Sequence, residues 1–151
     1  MNATRTEVRL ANQTAVKFGY PDTVIEELDH WLVLLRPAQV TLGSLVLVAK
    51  SEATAYSGLP DEAFAEQALA VRHIETALAR FCSYERLNYL MLMMVDPHVH
   101  FHVIPRYCGS REWDGASFDD RGWPGPPELK SAVELKQVQV KKLCNELQRH
   151  F

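Results

Sequence analysis

Apolar positions change their spacing along this chain, and each change predicts a different element. In residues 1–18 they recur at roughly helical intervals, at Val8, Ala11, Ala15 and Phe18, and Gly19 follows as a stop signal. From residue 23 the apolar residues form short runs rich in β-forming side chains, at 24–28, 31–35 and 44–49. Turn-compatible residues separate these runs. We therefore predict an N-terminal helix followed by three neighbouring strands in a meander.

Residues 59–81 predict a long helix. Pro60 suits a first helical turn, and Asp61 and Glu62 complement the positive end of the helix dipole. Apolar residues then recur at helical intervals, so one stripe is expected to face a core: Phe64, Val71, Ile74, Leu78 and Phe81.

A second β region follows this helix. The continuous apolar run at 88–95 predicts a strand that is buried on both faces. Asp96 and Pro97 interrupt the run, since proline lacks the amide donor and aspartate favours turns. Residues 98–104 are expected to form the next strand, ending at Pro105, so the two strands form a hairpin.

The last third of the chain begins with a segment rich in glycine, proline and aromatic residues at 107–130, which predicts a long functional or mobile loop. Ser131 and Glu134 have the spacing of a capping box. A helical stripe then runs to the end of the chain, at Val140, Leu143, Cys144, Leu147 and Phe151. Together these elements predict one α+β domain over residues 1–151. Its core at 20–106 is an antiparallel sheet of about five strands, packed with a long central helix and a C-terminal helix at 131–151.

Composition narrows the possible partners. The net charge is −3 and the basic residues are scattered, so we expect no nucleic-acid partner. No apolar run reaches the ~20 residues of a membrane span, and the N-terminus lacks a signal-peptide pattern. The three cysteines are odd in number and contain no CxxC pair, which favours free thiols in a reducing compartment. We therefore expect a cytoplasmic protein without a membrane partner.

Three histidines alternate with apolar residues in the second β region. Side chains alternate between the two faces of a strand, so His98, His100 and His102 are predicted to share one face. They would form a row ~13 Å long, while the apolar residues at 99, 101 and 103 face the core.

Four interpretations of this row differ in chemistry. A chance polar face is disfavoured because the whole chain has only six histidines. Neutral imidazole is a metal ligand, and Asp96 could join such a site. A nucleotide-binding module with poor turnover is the third interpretation. The fourth is catalysis with one imidazole as nucleophile, which suits a pKa of ~6.5 that leaves the ring largely neutral at pH 7.

The segment His98-Val-His100-Phe-His102-Val-Ile resembles the signature of the histidine triad family, and the order of elements over residues 20–106 is similar as well. The resemblance implies a homodimer that attacks the α-phosphate of a nucleotide, such as a dinucleoside polyphosphate, without a cofactor or metal. It implies that His100 is the nucleophile and forms a nucleotidyl-histidine intermediate. His98 and His102 would bind phosphate oxygens, set the tautomer of His100 and help to protonate the leaving group.

Two positions depart from the family pattern and suggest a divergent branch. Ser44 follows Gly43 where many members have a fourth histidine, and we expect it to donate a hydrogen bond to the substrate. Asp96 and Pro97 replace a loop with Gly and Gln. Arg106 is a candidate phosphate ligand, with a plain surface arginine as the alternative. Two aromatic residues of the 107–130 segment could stack on a base or pack against the core, Trp113 and Trp123.

Overall fold

A five-stranded antiparallel sheet forms the centre of the structure, a computed structural model that describes residues 11–151. The elements are α1 (Gln13–Lys17), β1 (Val24–Glu27), β2 (Trp31–Leu35), β3 (Ala38–Gln39), β4 (Leu45–Ala49), α2 (Asp61–Cys82), β5 (Arg86–Leu90), β6 (His100–Arg106), β7 (Ser110–Trp113), β8 (Ala116–Asp119), β9 (Val133–Glu134) and α3 (Gln137–Gln148). The sheet order is β1-β2-β4-β6-β5, so the predicted meander and hairpin lie side by side.

One face of the sheet packs against α2 and α3. The indole of Trp31, on β2, is fully buried and donates to the carbonyl of Ala63 on α2 at 2.7 Å. The predicted stripe of α2 is correct for Ile74 and Leu78, which are fully buried, but Phe64 is 38% exposed. Small side chains occupy the rest of the helix–sheet contact and displace the larger ones to its margin: Ala63, Ala70 and Ala77.

The opposite face carries a smaller apolar cluster under the N-terminal segment. Its buried members come from β2, β4 and α1: Leu32, Leu34, Val46, Val48 and Ala15. Within the described residues the predicted N-terminal helix spans only Gln13–Lys17, and Val8 lies outside them. Asn12 caps this helix by accepting from the amide of Ala15, and its side-chain amide donates to the carbonyl of Ala49 at 2.7 Å.

The predicted hairpin is present, but its strand bounds were wrong. β5 ends at Leu90, and Met94 and Val95 are 83% and 80% exposed, so the apolar run at 88–95 is not a buried strand. β6 begins at His100 and continues through Pro105. Thr41 donates to the carbonyl of Pro105, so this carbonyl points to the side of β6 on which β4 lies. The nitrogen of a strand residue points to the same side as its carbonyl. The pairing of β4 with β6 has already ended at Val103, so the missing amide of proline leaves no ladder bond unmade.

The segment 107–130 is not a plain loop, because β7 and β8 form a hairpin within it. Asp114 and Gly115 make its turn with φ of +51° and +75°, a conformation that glycine adopts without strain. The predicted capping box at Ser131 and Glu134 was wrong as well. α3 begins at Gln137, and its predicted stripe is buried at Leu143, Cys144 and Leu147.

No helix within residues 11–151 is long and apolar enough to cross a membrane.

Candidate active site

His100 and His102 point from β6 towards the face of the sheet that the N-terminal segment covers. In the register of the sheet, His100 lies opposite Val48 and His102 opposite Val46, and both valines belong to the cluster on that face. Directly opposite residues share a face, so the predicted common orientation is correct for these two histidines. Their ring centroids are 5.2 Å apart and the rings are nearly perpendicular, at 83°.

His98 precedes the strand, and both of its ring nitrogens have partners. Nδ1 lies 2.9 Å from the hydroxyl of Thr14, and Nε2 lies 3.0 Å from a carboxylate oxygen of Glu52. Because a carboxylate only accepts, Nε2 carries a proton, and in the neutral ring the Thr14 hydroxyl then donates to Nδ1. The predicted strand start at His98 was wrong by two residues, since β6 begins at His100. The side chain of His98 ties the N-terminal segment to the start of β6.

His100 has a tautomer fixed by the backbone. Its Nδ1 lies 2.7 Å from the carbonyl oxygen of His98, which can only accept, so Nδ1 carries the proton. The neutral ring then has its lone pair on Nε2, which makes no hydrogen bond to any residue of the described chain. This is the form in which an imidazole acts as a nucleophile. The residue as a whole is only 2% exposed.

Phe18 lies against His100, in a segment that we call the N-terminal cover (residues 12–20). The ring of Phe18 lies 5.8 Å from the ring of His100 and 5.7 Å from that of His102, between centroids. Lys17 forms an ion pair of 2.8 Å with Asp96, in the loop that leads into β6. Phe18 therefore packs against both imidazoles and contributes to the burial of His100.

His102 is partly buried, and burial is the largest cause of a pKa that is lowered to about 4. The positive charge of Arg36 and the neighbouring His100 lower this pKa further, and Asp96 opposes them. His102 is therefore neutral at pH 7. Its Nδ1 is buried without a hydrogen-bond partner among residues 11–151, and Nε of Arg36 is in the same condition.

Ser44, expected to bind substrate, has its hydroxyl inside the turn between β3 and β4. The side chain is fully buried. Oγ donates to the carbonyl of Thr41 at 2.7 Å and accepts from the amide of the same residue at 3.1 Å. The hydroxyl is thus already satisfied, and the geometry gives no support to a contact with phosphate.

Arg106 is neither the free phosphate ligand nor the surface arginine that the sequence suggested. It is 3% exposed and forms a bidentate ion pair with Asp120, at 2.7 and 3.1 Å. It also donates to Asn88 and to the carbonyl of Gly125. Arg106 therefore anchors the segment after β8 to the end of β6.

The two tryptophans lie away from the histidines. Trp113 packs against α3 and donates to Glu146 at 2.7 Å. Trp123 lines a cavity of about 550 Å³ together with Arg86, Asn88 and Arg106. Two further cavities have volumes of about 280 and 610 Å³, and none of the three histidines lines either of them. No cluster of three or more His, Cys, Asp or Glu side chains within residues 11–151 has the spacing of a metal site.

Sequence reasoning missed four residues around the histidines: Phe18, Thr14, Glu52 and Arg36. Phe18 was assigned only to a helical stripe, and Arg36 only to a turn. No local pattern marks any of them, because each reaches the site through the pairing of distant segments.

No protein-family model and no curated protein sequence matches this chain. Solved structures do match. A histidine triad protein from Sinorhizobium meliloti superposes with a TM-score of 0.72 at 18% identity, over 93% of this chain and 95% of that one. Another from Bradyrhizobium japonicum gives 0.65 at 21% identity, over 83% and 87%.

This chain has the histidine triad fold. The fold class predicted from the sequence is thereby confirmed. A diadenosine triphosphate hydrolase from Plasmodium falciparum shares the histidine triad fold, with a TM-score of 0.64 and 12% identity over 85% of this chain and 76% of that one. At these identities the likeness concerns the fold, and the chemistry has to be argued from the residues.

Proposed function

We propose that this protein cleaves nucleotides at the α-phosphate, as a hydrolase or nucleotidyl transferase, with His100 as the nucleophile. The observation that carries the proposal is the hydrogen bond from Nδ1 of His100 to the carbonyl of His98, which leaves the Nε2 lone pair available. A dinucleoside polyphosphate is the proposed substrate class, supported by the activity named for the Plasmodium falciparum protein of the same fold.

The proposed reaction has two displacements. Nε2 of His100 attacks the α-phosphorus, a phosphorus–nitrogen bond forms and the bond to the leaving oxygen breaks. Water then attacks the same phosphorus, the phosphorus–nitrogen bond breaks, and the proton of the water passes to solvent. A phosphate leaving group needs no protonation at pH 7, which is compatible with a neutral His102. His98 acts as a positioning residue, through its carbonyl on His100 and its ring on Thr14.

A nucleotide-binding module with little turnover is the second candidate. The 2% exposure of His100 beneath Phe18 favours it, because a covered nucleophile reacts slowly. The two candidates differ in how often the N-terminal cover opens, and a direct assay separates them.

The experiment compares the wild type with His100→Asn and with His150→Asn, a matched control at the far end of α3. Each is incubated with diadenosine polyphosphates, nucleoside phosphoramidates and nucleoside monophosphates, with and without chelator. We expect His100→Asn to lose turnover by about 10³-fold or more while ligand affinity stays within about tenfold. Trapped protein should carry one nucleotidyl group on His100 by mass spectrometry.

The outcomes separate the alternatives. Undiminished turnover in His100→Asn contradicts the proposed nucleophile. Nucleotide binding without turnover in the wild type favours the binding module. Turnover that chelator abolishes and zinc restores favours the metal interpretation.

The homodimer and the cytoplasmic location stay predictions. β5 is an edge strand of the sheet, and its outer side is where a second copy could pair. Sedimentation equilibrium of the full chain measures that association.

A further inference from the structure

We propose that Arg36 binds a phosphate oxygen of the substrate beside His102 and supplies the fixed positive charge of the site. This inference rests on the proposed function, and it adds a binding residue that the histidine pattern does not contain. The ligand chemistry is that of a phosphate monoester or anhydride.

The sheet register brings Arg36 to the face of the histidines. Leu34 on β2 lies opposite Val46 on β4, which lies opposite His102 on β6. Arg36 is two residues beyond Leu34 and bonds through its backbone amide to the carbonyl of Ser44, so it continues the same face. Two strand spacings, about 10 Å, separate the backbones of β2 and β6, and the long arginine side chain spans much of that distance.

The side chain of Arg36 is held at one end and unsatisfied at the other. Nη1 donates to the carbonyl of Ala38 at 2.5 Å, which fixes the guanidinium plane. Nε is buried and has no partner. Burial lowers the pKa of Arg36 below its usual value and nearby Glu134 opposes this, but no ion pair joins the two within the described chain. Arg106, in contrast, has its charge matched by Asp120.

Two buried side-chain nitrogens in residues 11–151 lack a hydrogen-bond partner, and they are Nε of Arg36 and Nδ1 of His102. Buried polar groups are satisfied in the great majority of cases, so two such atoms on one face of one sheet need a common explanation. An oxyanion provides it, since its oxygens accept from the Nε–H of Arg36 and from a protonated Nδ1 of neutral His102.

The proposed reaction also requires a positive charge near the phosphate, and the histidines do not supply it. Phosphoryl transfer spreads negative charge over the equatorial oxygens, and stabilising it requires positive charge nearby. His102, with a pKa lowered to about 4, offers only a neutral hydrogen bond at pH 7. Lys17 is already paired with Asp96 and is 53% exposed. The guanidinium of Arg36 stays charged and presents a planar set of donors that fits phosphate oxygens.

The test measures binding of three probes by calorimetry: inorganic phosphate, adenosine 5′-monophosphate and adenosine. The variants are Arg36→Gln, Arg36→Lys and the control Arg86→Gln, an exposed arginine that donates only to its neighbouring backbone carbonyl at Glu85. We expect Arg36→Gln to weaken monophosphate binding by about tenfold to a hundredfold and to leave adenosine binding within twofold. Arg36→Lys should recover part of the loss, and Arg86→Gln should match the wild type.

A second readout needs no turnover. Removing the charge of Arg36 should raise the pKa of His102, measured by NMR titration of the ligand-free protein. Arg86→Gln should leave that pKa unchanged. A role of Arg36 confined to folding does not predict selective loss of phosphate affinity with intact adenosine affinity.

The outcomes distinguish this inference from the proposed function. If the wild type hydrolyses dinucleotides and Arg36→Gln binds phosphate as tightly as the wild type, the inference is overturned and the function stands. If the wild type lacks turnover but Arg36→Gln loses phosphate binding, the inference holds and the function fails. A wild type that binds neither phosphate nor the monophosphate overturns the inference. Should Arg36→Gln not fold, Arg36→Met removes the charge at similar length, and unchanged monophosphate affinity in that variant overturns the inference as well.

Discussion

The central strands β2 and β4 are buried on both faces, but the two faces are covered in different ways. Every residue of β2 and β4 is buried, so neither strand has a solvent side. On one face the cover is α2 and α3, with 22 and 12 residues. On the other it is the N-terminal cover, whose helix has five residues.

This difference separates a permanent core from a face that can open. The helix face packs a large apolar cluster against α2 and α3, and the buried indole of Trp31 bonds to α2 within it. The histidine face is covered by a few apolar side chains, with Phe18 against the imidazoles, and by polar links at Asn12, Thr14 and Lys17. Short segments with few apolar contacts open at low free energy, whereas core elements open only with global unfolding. His100 lies under such a short segment, so its ring can be protected when the segment is closed and accessible when it opens.

The largest effect should come from the helix face. Trp31→Ala removes a fully buried indole and its bond to Ala63, and we expect it to lower the free energy of unfolding by about 4 kcal/mol. Phe18→Ala should lower it by only about 1–2 kcal/mol, because Phe18 is partly exposed. Urea denaturation of both variants measures the contrast. Equal losses would mean that the two faces are the same kind of core.

The next effect is a pH dependence of the free energy of unfolding, caused by His102 on the histidine face. The pKa of His102 is about 4 in the folded protein and about 6.5 when unfolded, so the unfolded state binds more protons between these values. Stability is therefore complete above pH 6.5 and is lost as the pH falls towards 4. We expect a loss of about 1.7 kcal/mol, half of the full shift at about 1.4 kcal/mol per pKa unit, because His102 is partly solvated.

His102→Asn should flatten this slope, and His150→Asn should keep it. The measurement is the urea midpoint at pH 4, 5, 6 and 7. A slope that persists in His102→Asn assigns the titration to another group.

The sequence predicted what depends on periodicity. The short apolar runs of β2 and β4 indicated neighbouring strands, and the stripe of α2 indicated its helix. The pattern also predicted that His100 and His102 share a face, because alternation along a strand is a local property.

The sequence could not predict which segments meet. His98 continues the same alternation as His100, yet the strand begins only at His100, and the His98 ring contacts Thr14 and Glu52 from distant parts of the chain. Phe18 and Arg36 reach the histidines through chain packing and sheet register, over separations that no short motif encodes. The turn role of Ser44 likewise depends on its contact with Thr41 rather than on its place after a glycine.

Opening the N-terminal cover should produce the third effect. Phe18→Ala removes the ring that lies against both imidazoles, and we expect modification of His100 by diethylpyrocarbonate to become about tenfold faster, since a smaller fraction of molecules remains closed. Mass spectrometry of the modified peptide gives the rate. Phe81→Ala, a partly buried phenylalanine on α2, is the control and should not change it. An unchanged rate in Phe18→Ala would show that access to His100 is limited elsewhere.

The smallest effect concerns Ser44, and it tests whether the Ser44 hydroxyl serves the turn or the active site. Ser44→Ala removes a hydroxyl that donates to the carbonyl of Thr41 and accepts from its amide, so we expect a loss of about 1 kcal/mol in unfolding free energy. Turnover and affinity for adenosine 5′-monophosphate should stay within twofold of the wild type, because the hydroxyl is held inside the turn. Urea denaturation and the nucleotide assay together decide the point. A tenfold loss of affinity at unchanged stability would instead place the Ser44 hydroxyl on the phosphate and require the turn to rearrange when the ligand binds.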